Sequence, residues 1–235
     1  MGSNTRIDIT ALASDYDETL ACNGRIERPT LAALHWFKAS GRKVLLVTGR
    51  ELDDLLKICP EINIFDALVA ENGAVVYLPL TQDLTTLASP PPEDFVDALR
   101  ERGVQPLSVG HCIVAAQRPH HETMRKTIRD MGLNMHLVLN RDSVMALPTG
   151  INKSTGFRLA LKKLGLVAAG VVGIGDAEND EAFLKECGLS VAVANALPAL
   201  KQAADIITIQ EHGSGVVEII DKIMTNRLPE VAPCR

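Results

Sequence analysis

Four polar clusters in this chain could do chemistry together. They are Asp15 with Asp17, the run Thr48-Gly49-Arg50, Lys153, and Asp176 with Asn179 and Asp180. Asp15 and Asp17 are two positions apart, so strand alternation puts both side chains on one face. Asp176 arrives from a distant part of the chain. Three carboxylates in one place repel, and each resists ionisation unless a cation joins them. Hard oxygen ligands of this kind suit Mg2+, which keeps several waters and often shares its shell with a substrate phosphate. Thr48 offers a hydroxyl, and Gly49 an open backbone N–H at the start of a helix, a seat for an anion. Taken singly, each cluster has an ordinary explanation as a turn former, a helix cap or a solvated lysine. Their joint occurrence at strand ends and helix starts points to one site.

The elements that must position these clusters alternate between short β-branched runs and helical patterns. That alternation predicts an α/β fold with a parallel sheet. The first strand is expected over Ile9 to Ser14, the second over Lys43 to Val47, and a third over Ala67 to Ala70. Asn72-Gly73 between two apolar runs predicts a hairpin. Phe157, Ala160, Leu161 and Leu164 make one apolar helix face, and Gly165 caps that helix. Val171 to Gly175 has no polar side chain, which fits the centre of a parallel sheet. Asn179 to Glu186 reads as a helix, Leu189 to Val193 and Ile206 to Ile209 as strands, and the tail from Leu228 as frayed. In an open sheet of this kind, ligands bind outside the carboxyl ends of the strands, so clusters far apart in sequence converge there.

The middle of the chain breaks the rhythm. After Ser89-Pro90-Pro91-Pro92 the order becomes αββαββ, which predicts an antiparallel sheet with helices on one face. The expected organisation is a Rossmann-like, doubly wound parallel-sheet core over 1–79 and 150–235, with a smaller α+β domain inserted over 80–149. Met124, Ile128 and Met131 read as the core stripe of a helix in the insertion.

Composition narrows the partners. The 235 residues are 46% hydrophobic and 23% charged, with 24 Lys and Arg against 29 Asp and Glu, a net charge of −5. A nucleic-acid partner is disfavoured, because backbone binding needs a basic surface. No apolar run reaches the length of a membrane span. Asp8, Asp15 and Asp17 interrupt any signal-peptide core. A cytoplasmic monomer or homodimer is expected. Cys22, Cys59, Cys112, Cys187 and Cys234 form no CxxC pair and read as reduced thiols.

The order of the clusters resembles the haloacid dehalogenase superfamily. Asp15-Tyr16-Asp17-Glu18-Thr19-Leu20 is similar to its DxDGT nucleophile motif, and Leu46-Val47-Thr48-Gly49-Arg50 to its second motif. Asn152-Lys153 resembles the third, and Gly175-Asp176-Ala177-Glu178-Asn179-Asp180 the fourth, GDxxND. Asn195-Ala196 and Ala203 to Thr208 resemble the C-terminal part of the branch with an α/β cap between motifs two and three. That branch includes Cof-like, phosphoglycolate phosphatase-like and sucrose-phosphatase-like members. The short insertion is closer to the archaeal phosphoglycolate phosphatase-like members. Glu18 stands where the family usually has glycine.

The resemblance implies an Mg2+-dependent phosphatase of small phosphorylated metabolites, phosphosugars or phosphoglycolate-like acids. Asp15 would be the nucleophile and Asp17 the acid and base. Asp15, the Asp17 carbonyl and Asp176 would hold the metal. Thr48, Gly49, Lys153 and Asn179 would hold the phosphate, with Asp180 in support. Arg50, Asn72, Arg118 and Arg141 are candidates for substrate specificity; His111, Gln117, His120 and His121 are further candidates in the insertion. A phosphomutase and a catalytically silent binding domain are the alternatives.

Overall fold

The computed structural model describes residues 8–228. Strand β1 (Ala11–Ser14) leads into a small hairpin, β2 (Ala21–Cys22) and β3 (Arg25–Ile26). Helix α1 (Arg28–Ala39), β4 (Lys43–Val47), α2 (Leu52–Ile58), β5 (Ala67–Ala70), β6 (Val75–Leu78) and β7 (Asp83–Thr86) follow. The middle of the chain is α3 (Glu93–Glu101), β8 (Leu107–Val109), β9 (Val114–Gln117), α4 (His121–Asp130), β10 (Met135–Asn140) and β11 (Ser143–Pro148). The chain returns through α5 (Lys153–Leu164), β12 (Val171–Gly175), α6 (Glu181–Leu184), β13 (Leu189–Ala192), α7 (Pro198–Ala203), β14 (Ile206–Ile207) and α8 (His212–Met224).

Eight strands form one sheet in the order β14-β13-β12-β1-β4-β5-β6-β7. From β14 to β5 all pairs are parallel. Every residue of β1 and β12 is buried, as suits strands covered on both faces; the one polar side chain, Ser14, donates to the Asp15 carbonyl. The expected hairpin at Asn72-Gly73 joins β5 to β6, which pair antiparallel. The polar strand β7 then pairs with β6 at the sheet edge. It extends the larger sheet past Leu80. The inserted unit, which we propose as a cap, has its own sheet only after this strand.

The insertion has the expected αββαββ order. Its four strands make a separate sheet, β10-β11-β9-β8, with antiparallel pairs. Alternation divides that sheet into two faces. Val114, Ala116, Val144 and Ala146 pack on Phe95, Leu99, Met124 and Ile128 of α3 and α4. Ala115, Val138, Met145 and Leu147 point the other way and join the larger core.

The helix expected over Asn179 to Glu186 is shorter. A 3-10 turn occupies Glu178–Asp180 and α6 only Glu181–Leu184. The Asp180 carboxylate accepts the backbone N–H groups of Asp176 and Ala177, which tightens that turn. The expected strand at Ile206 to Ile209 stops at Ile207. Cys234 and the tail beyond Leu228 lie outside the described residues.

A cap orders the helix that follows the insertion, and a buried carboxylate ties the insertion to the core. Helix α5 starts with a reciprocal cap: Asn152 Oδ1 accepts the Thr155 N–H, and Thr155 Oγ1 accepts the Asn152 N–H. Glu71, fully buried in the β5–β6 turn, accepts the backbone N–H groups of His111 (2.9 Å) and Cys112 (2.8 Å) between β8 and β9. Charged acceptors make the stronger hydrogen bonds, and an orphaned buried donor is costly. Glu71→Ala is expected to lower stability by about 3 kcal/mol and to raise amide exchange at His111 and Cys112. Chemical denaturation and hydrogen exchange measure both effects.

Candidate active site

The parallel strands end along one edge of the sheet and deliver the clusters there. Asp15 follows β1 and continues the ladder, its N–H donating to Ile174 O at 2.9 Å. Asp176 follows β12. Thr48 follows β4, with its N–H on Val69 O at 2.7 Å. Lys153 is the first residue of α5. A cation at a helix N-terminus opposes the helix dipole, so this placement needs compensation from elsewhere.

Asp15 and Asp180 supply it. Lys153 Nζ lies 2.5 Å from Asp15 Oδ1 and 2.5 Å from Asp180 Oδ1, and all three side chains are buried. Burial alone would lower the lysine's pKa; the two carboxylates overcome it and raise it, so Lys153 stays charged. The other Asp180 oxygen accepts the N–H groups of Asp176 (2.9 Å) and Ala177 (3.0 Å). Gly175 permits this return: a Cβ there would sit 2.7 Å from the Asp180 side chain.

Oxygen atoms of Asp15, Asp176 and Asp180 all lie within 4.8 Å of one another. Burial raises Asp15 well above the ordinary carboxylate range; Lys153 opposes this, and Asp180, Asp176 and Asp17 add to it. Burial and Asp180 also raise Asp176, against Arg141 and Lys153. Asp180 spends its oxygens on the buried Lys153 and on two backbone N–H groups of its own turn, so it is a support. We propose Asp15 and Asp176 as the donors for a metal ion, since the exposed Arg141 on Asp176 can be displaced. Thr19 Oγ1 donates to Asp176 Oδ1 at 3.1 Å, and Arg141, at the tip of the β10–β11 hairpin, pairs with Asp176 Oδ2. Hard oxygens in a buried cluster with a deficit of positive charge fit a small divalent cation.

Asp17 stands at the rim. Arg50 grips it with two bonds, Nε to Oδ2 and Nη2 to Oδ1, both 2.8 Å, and also reaches Asp54 at 2.7 Å. The guanidinium lies 5.7 Å from the centroid of the Tyr16 ring. Arg50, expected as a specificity residue, is therefore engaged with the acid. Thr48 Oγ1 accepts the Arg50 N–H at 3.1 Å, which leaves its own hydrogen for a ligand. Asn179 Nδ2 donates to Asn72 Oδ1 at 3.0 Å, while Asn179 Oδ1 is buried without a partner. Arg118 is exposed and donates to the Arg141 carbonyl at 3.1 Å, so it braces the hairpin tip and does not enter the site.

Sequence reasoning missed several supports. Glu18 has φ +59°, a left-handed conformation that explains a glycine preference at this position. Its carbonyl is held by Asn195 Nδ2 (2.7 Å) and His212 Nδ1 (3.0 Å). Thr19 sits two residues after Asp17, a spacing that could have marked it. Glu71 carries no local signal, because its partners are backbone amides some forty residues away.

A family model described as haloacid dehalogenase-like hydrolase matches residues 12–131 and 108–220. This chain belongs to that family. Phosphoglycolate phosphatase 2 of Saccharolobus solfataricus is 31% identical over 223 residues, spanning 91% of this chain and 92% of that protein. A phosphoglycolate phosphatase of Methanothermobacter thermautotrophicus is 28% identical over 226 residues, spanning 91% and 98%. Among solved structures, a haloacid dehalogenase-like hydrolase from Bacteroides thetaiotaomicron superposes with a TM-score of 0.78 at 19% identity, covering 92% of this chain and 99% of that one. A HAD subclass IIB sugar phosphatase superposes with a TM-score of 0.72 at 18% identity, covering 92% and 99%. The haloacid dehalogenase-like chain has no helix long and apolar enough to cross a membrane among its described residues.

The raised Asp15 and Asp176 carboxyls give a pH-dependent expectation. Both hold protons to higher pH than ordinary carboxylates, and a metal must displace them. Affinity for a divalent cation should therefore rise with pH, and binding should release protons. Titration calorimetry in buffers of different ionisation enthalpy measures the release. Proton-neutral binding throughout the mildly acidic range would contradict this electrostatic account.

Proposed function

We propose that this chain, a phosphatase of its family, is an Mg2+-dependent phosphomonoester hydrolase acting on small phosphorylated acids of the phosphoglycolate kind. The observation that carries the reading is the buried Lys153 shared by Asp15 and Asp180, with Asp176 beside them. A structural ion pair needs one carboxylate. Two carboxylates at the ends of neighbouring parallel strands, with a third folded back from the following turn, serve an incoming charge.

Asp15, the Asp17 carbonyl and Asp176 would hold Mg2+, which when bound offsets the repulsion between carboxylate and phosphate. Asp15 attacks the phosphorus; the P–O bond to the leaving group breaks and an aspartyl-phosphate forms. Lys153 balances charge on the attacking carboxylate. The Thr48 hydroxyl and the Gly49 N–H bind phosphoryl oxygens. Asp17 gives a proton to the leaving oxygen, then takes one from the water that hydrolyses the intermediate. Arg50 orients that carboxylate, and each Asp17 oxygen keeps a lone pair for the proton. Asn179, tied to Asn72, presents its unpartnered Oδ1 at the buried side of the site.

Arg141 supports an anionic leaving group. It is the cation at the tip of the insertion, partly exposed, and close enough to touch Asp176. Once a metal occupies Asp176, its guanidinium is free for a substrate carboxylate. The phosphoglycolate phosphatases among the relatives support the same class.

Purified protein should release phosphate from 2-phosphoglycolate only with Mg2+ present; Ca2+ should substitute poorly because it prefers more ligands and looser geometry. Asp15→Asn should reduce turnover to background while keeping the fold. Arg141→Ala should raise KM for phosphoglycolate about 10–100-fold and spare acetyl phosphate. Substantial activity in Asp15→Asn would remove the nucleophile assignment.

A further inference from the structure

The sheet of the insertion forms the roof of the site, and its height is fixed. At one end the Glu71 carboxylate holds the turn between β8 and β9. In the middle, Met145 of β11 descends from the roof to the floor. Its Sδ lies 2.8 Å from Asn72 Nδ2. A Cβ placed on Gly49 would sit 3.3 Å from Met145 Cε and 3.2 Å from the Asn72 amide. The roof and the Thr48-Gly49 loop thus leave no room between them for a side chain at position 49. Met145 is itself nearly buried, flanked in register by Val138 and Ala115. A methionine is normally adaptable. Here the Asn72 amide and its two strand neighbours limit its freedom.

Towards the hairpin tip the surroundings of the site are polar. Arg141 is there, on Asp176, and Glu18 is close enough to act on Arg141 electrostatically. Asn140 at the end of β10 has a buried Oδ1 without a partner. A sugar ring carried on a phosphoryl group over Gly49 would meet the Met145 side chain.

We propose that Met145 is a specificity-determining residue: as the roof contact over the Thr48-Gly49 loop, it restricts the substrate to phosphomonoesters with a compact, charged leaving group smaller than a sugar ring. The inference rests on the phosphatase reading above and adds a size limit that family membership does not supply. Met145 abuts Gly49 and Asn72 but carries no group that takes part in the reaction, so its effect is on which ester fits, not on the chemistry.

The test compares kcat/KM for acetyl phosphate, 2-phosphoglycolate and a hexose 6-phosphate in Mg2+. It uses the wild type, Met145→Ala, Met145→Val and Met145→Leu, each checked for folding by circular dichroism. The wild type should discriminate against the hexose phosphate. Met145→Ala should raise kcat/KM for it by roughly tenfold or more, with acetyl phosphate almost unchanged. Met145→Leu, of similar volume, should restore discrimination. Met145→Val removes less volume and gives the same direction if the alanine variant does not fold. A wild type that hydrolyses acetyl phosphate yet accepts the hexose phosphate equally well overturns the inference alone. So does a folded alanine or valine variant with no gain on the hexose phosphate. A wild type inactive on all three esters overturns the phosphatase reading, and this inference with it.

Discussion

One cation buried among carboxylates governs this molecule. Lys153 Nζ is shared by Asp15 and Asp180, out of reach of bulk water. Taking these charges from water is expensive, and their mutual attraction offsets that cost only with good geometry and with the remaining lone pairs satisfied. The surrounding structure meets those terms. Strand β1 ends at Asp15, the capped start of α5 aims the lysine, and the 3-10 turn after β12 brings Asp180 back onto its own backbone. Gly175 leaves room for that return.

The second level of organisation is the insertion. Its sheet faces two ways, onto its own helices and onto the larger core. It is attached through chemistry of opposite kinds at its two ends. A buried carboxylate from the core holds backbone amides near β8, and a cation from the insertion meets a carboxylate of the core near β10. The first attachment involves no group we assign to catalysis. The second involves Asp176, our proposed metal ligand, where a metal would compete with Arg141. The two ends should differ in permanence for that reason.

Much of this was legible in the sequence. Buried parallel strands are continuous apolar runs, and each run that stops at Asp or Thr marks a sheet edge, which is how Asp15, Thr48 and Asp176 stood out. The αββαββ order of the insertion was readable from its periodicities. Strand β7 was not, because Asp83-Leu84-Thr85-Thr86 is a polar edge strand whose partner, not its own pattern, makes it a strand. Arg50, expected as a candidate for substrate specificity, grips Asp17, a pairing the sequence did not show because nothing in a Thr-Gly-Arg triplet reveals where a guanidinium points. Glu71 and Met145 were invisible for a related reason. Their roles come from contacts across the interface between sheet and insertion, which no local spacing encodes.

The reciprocal cap at Asn152 and Thr155 has a mechanical consequence. The peptide that carries Lys153 is also the peptide by which the insertion returns to the core. Any movement of the insertion pulls on Pro148 to Ile151, immediately upstream of the buried lysine. The cap closes a short ring of side-chain and backbone bonds at that point, so tension arriving from upstream is spent on the turn before it reaches the helix. Asn152 thus works as strain relief on a cable: one end can swing while the contact it feeds stays still.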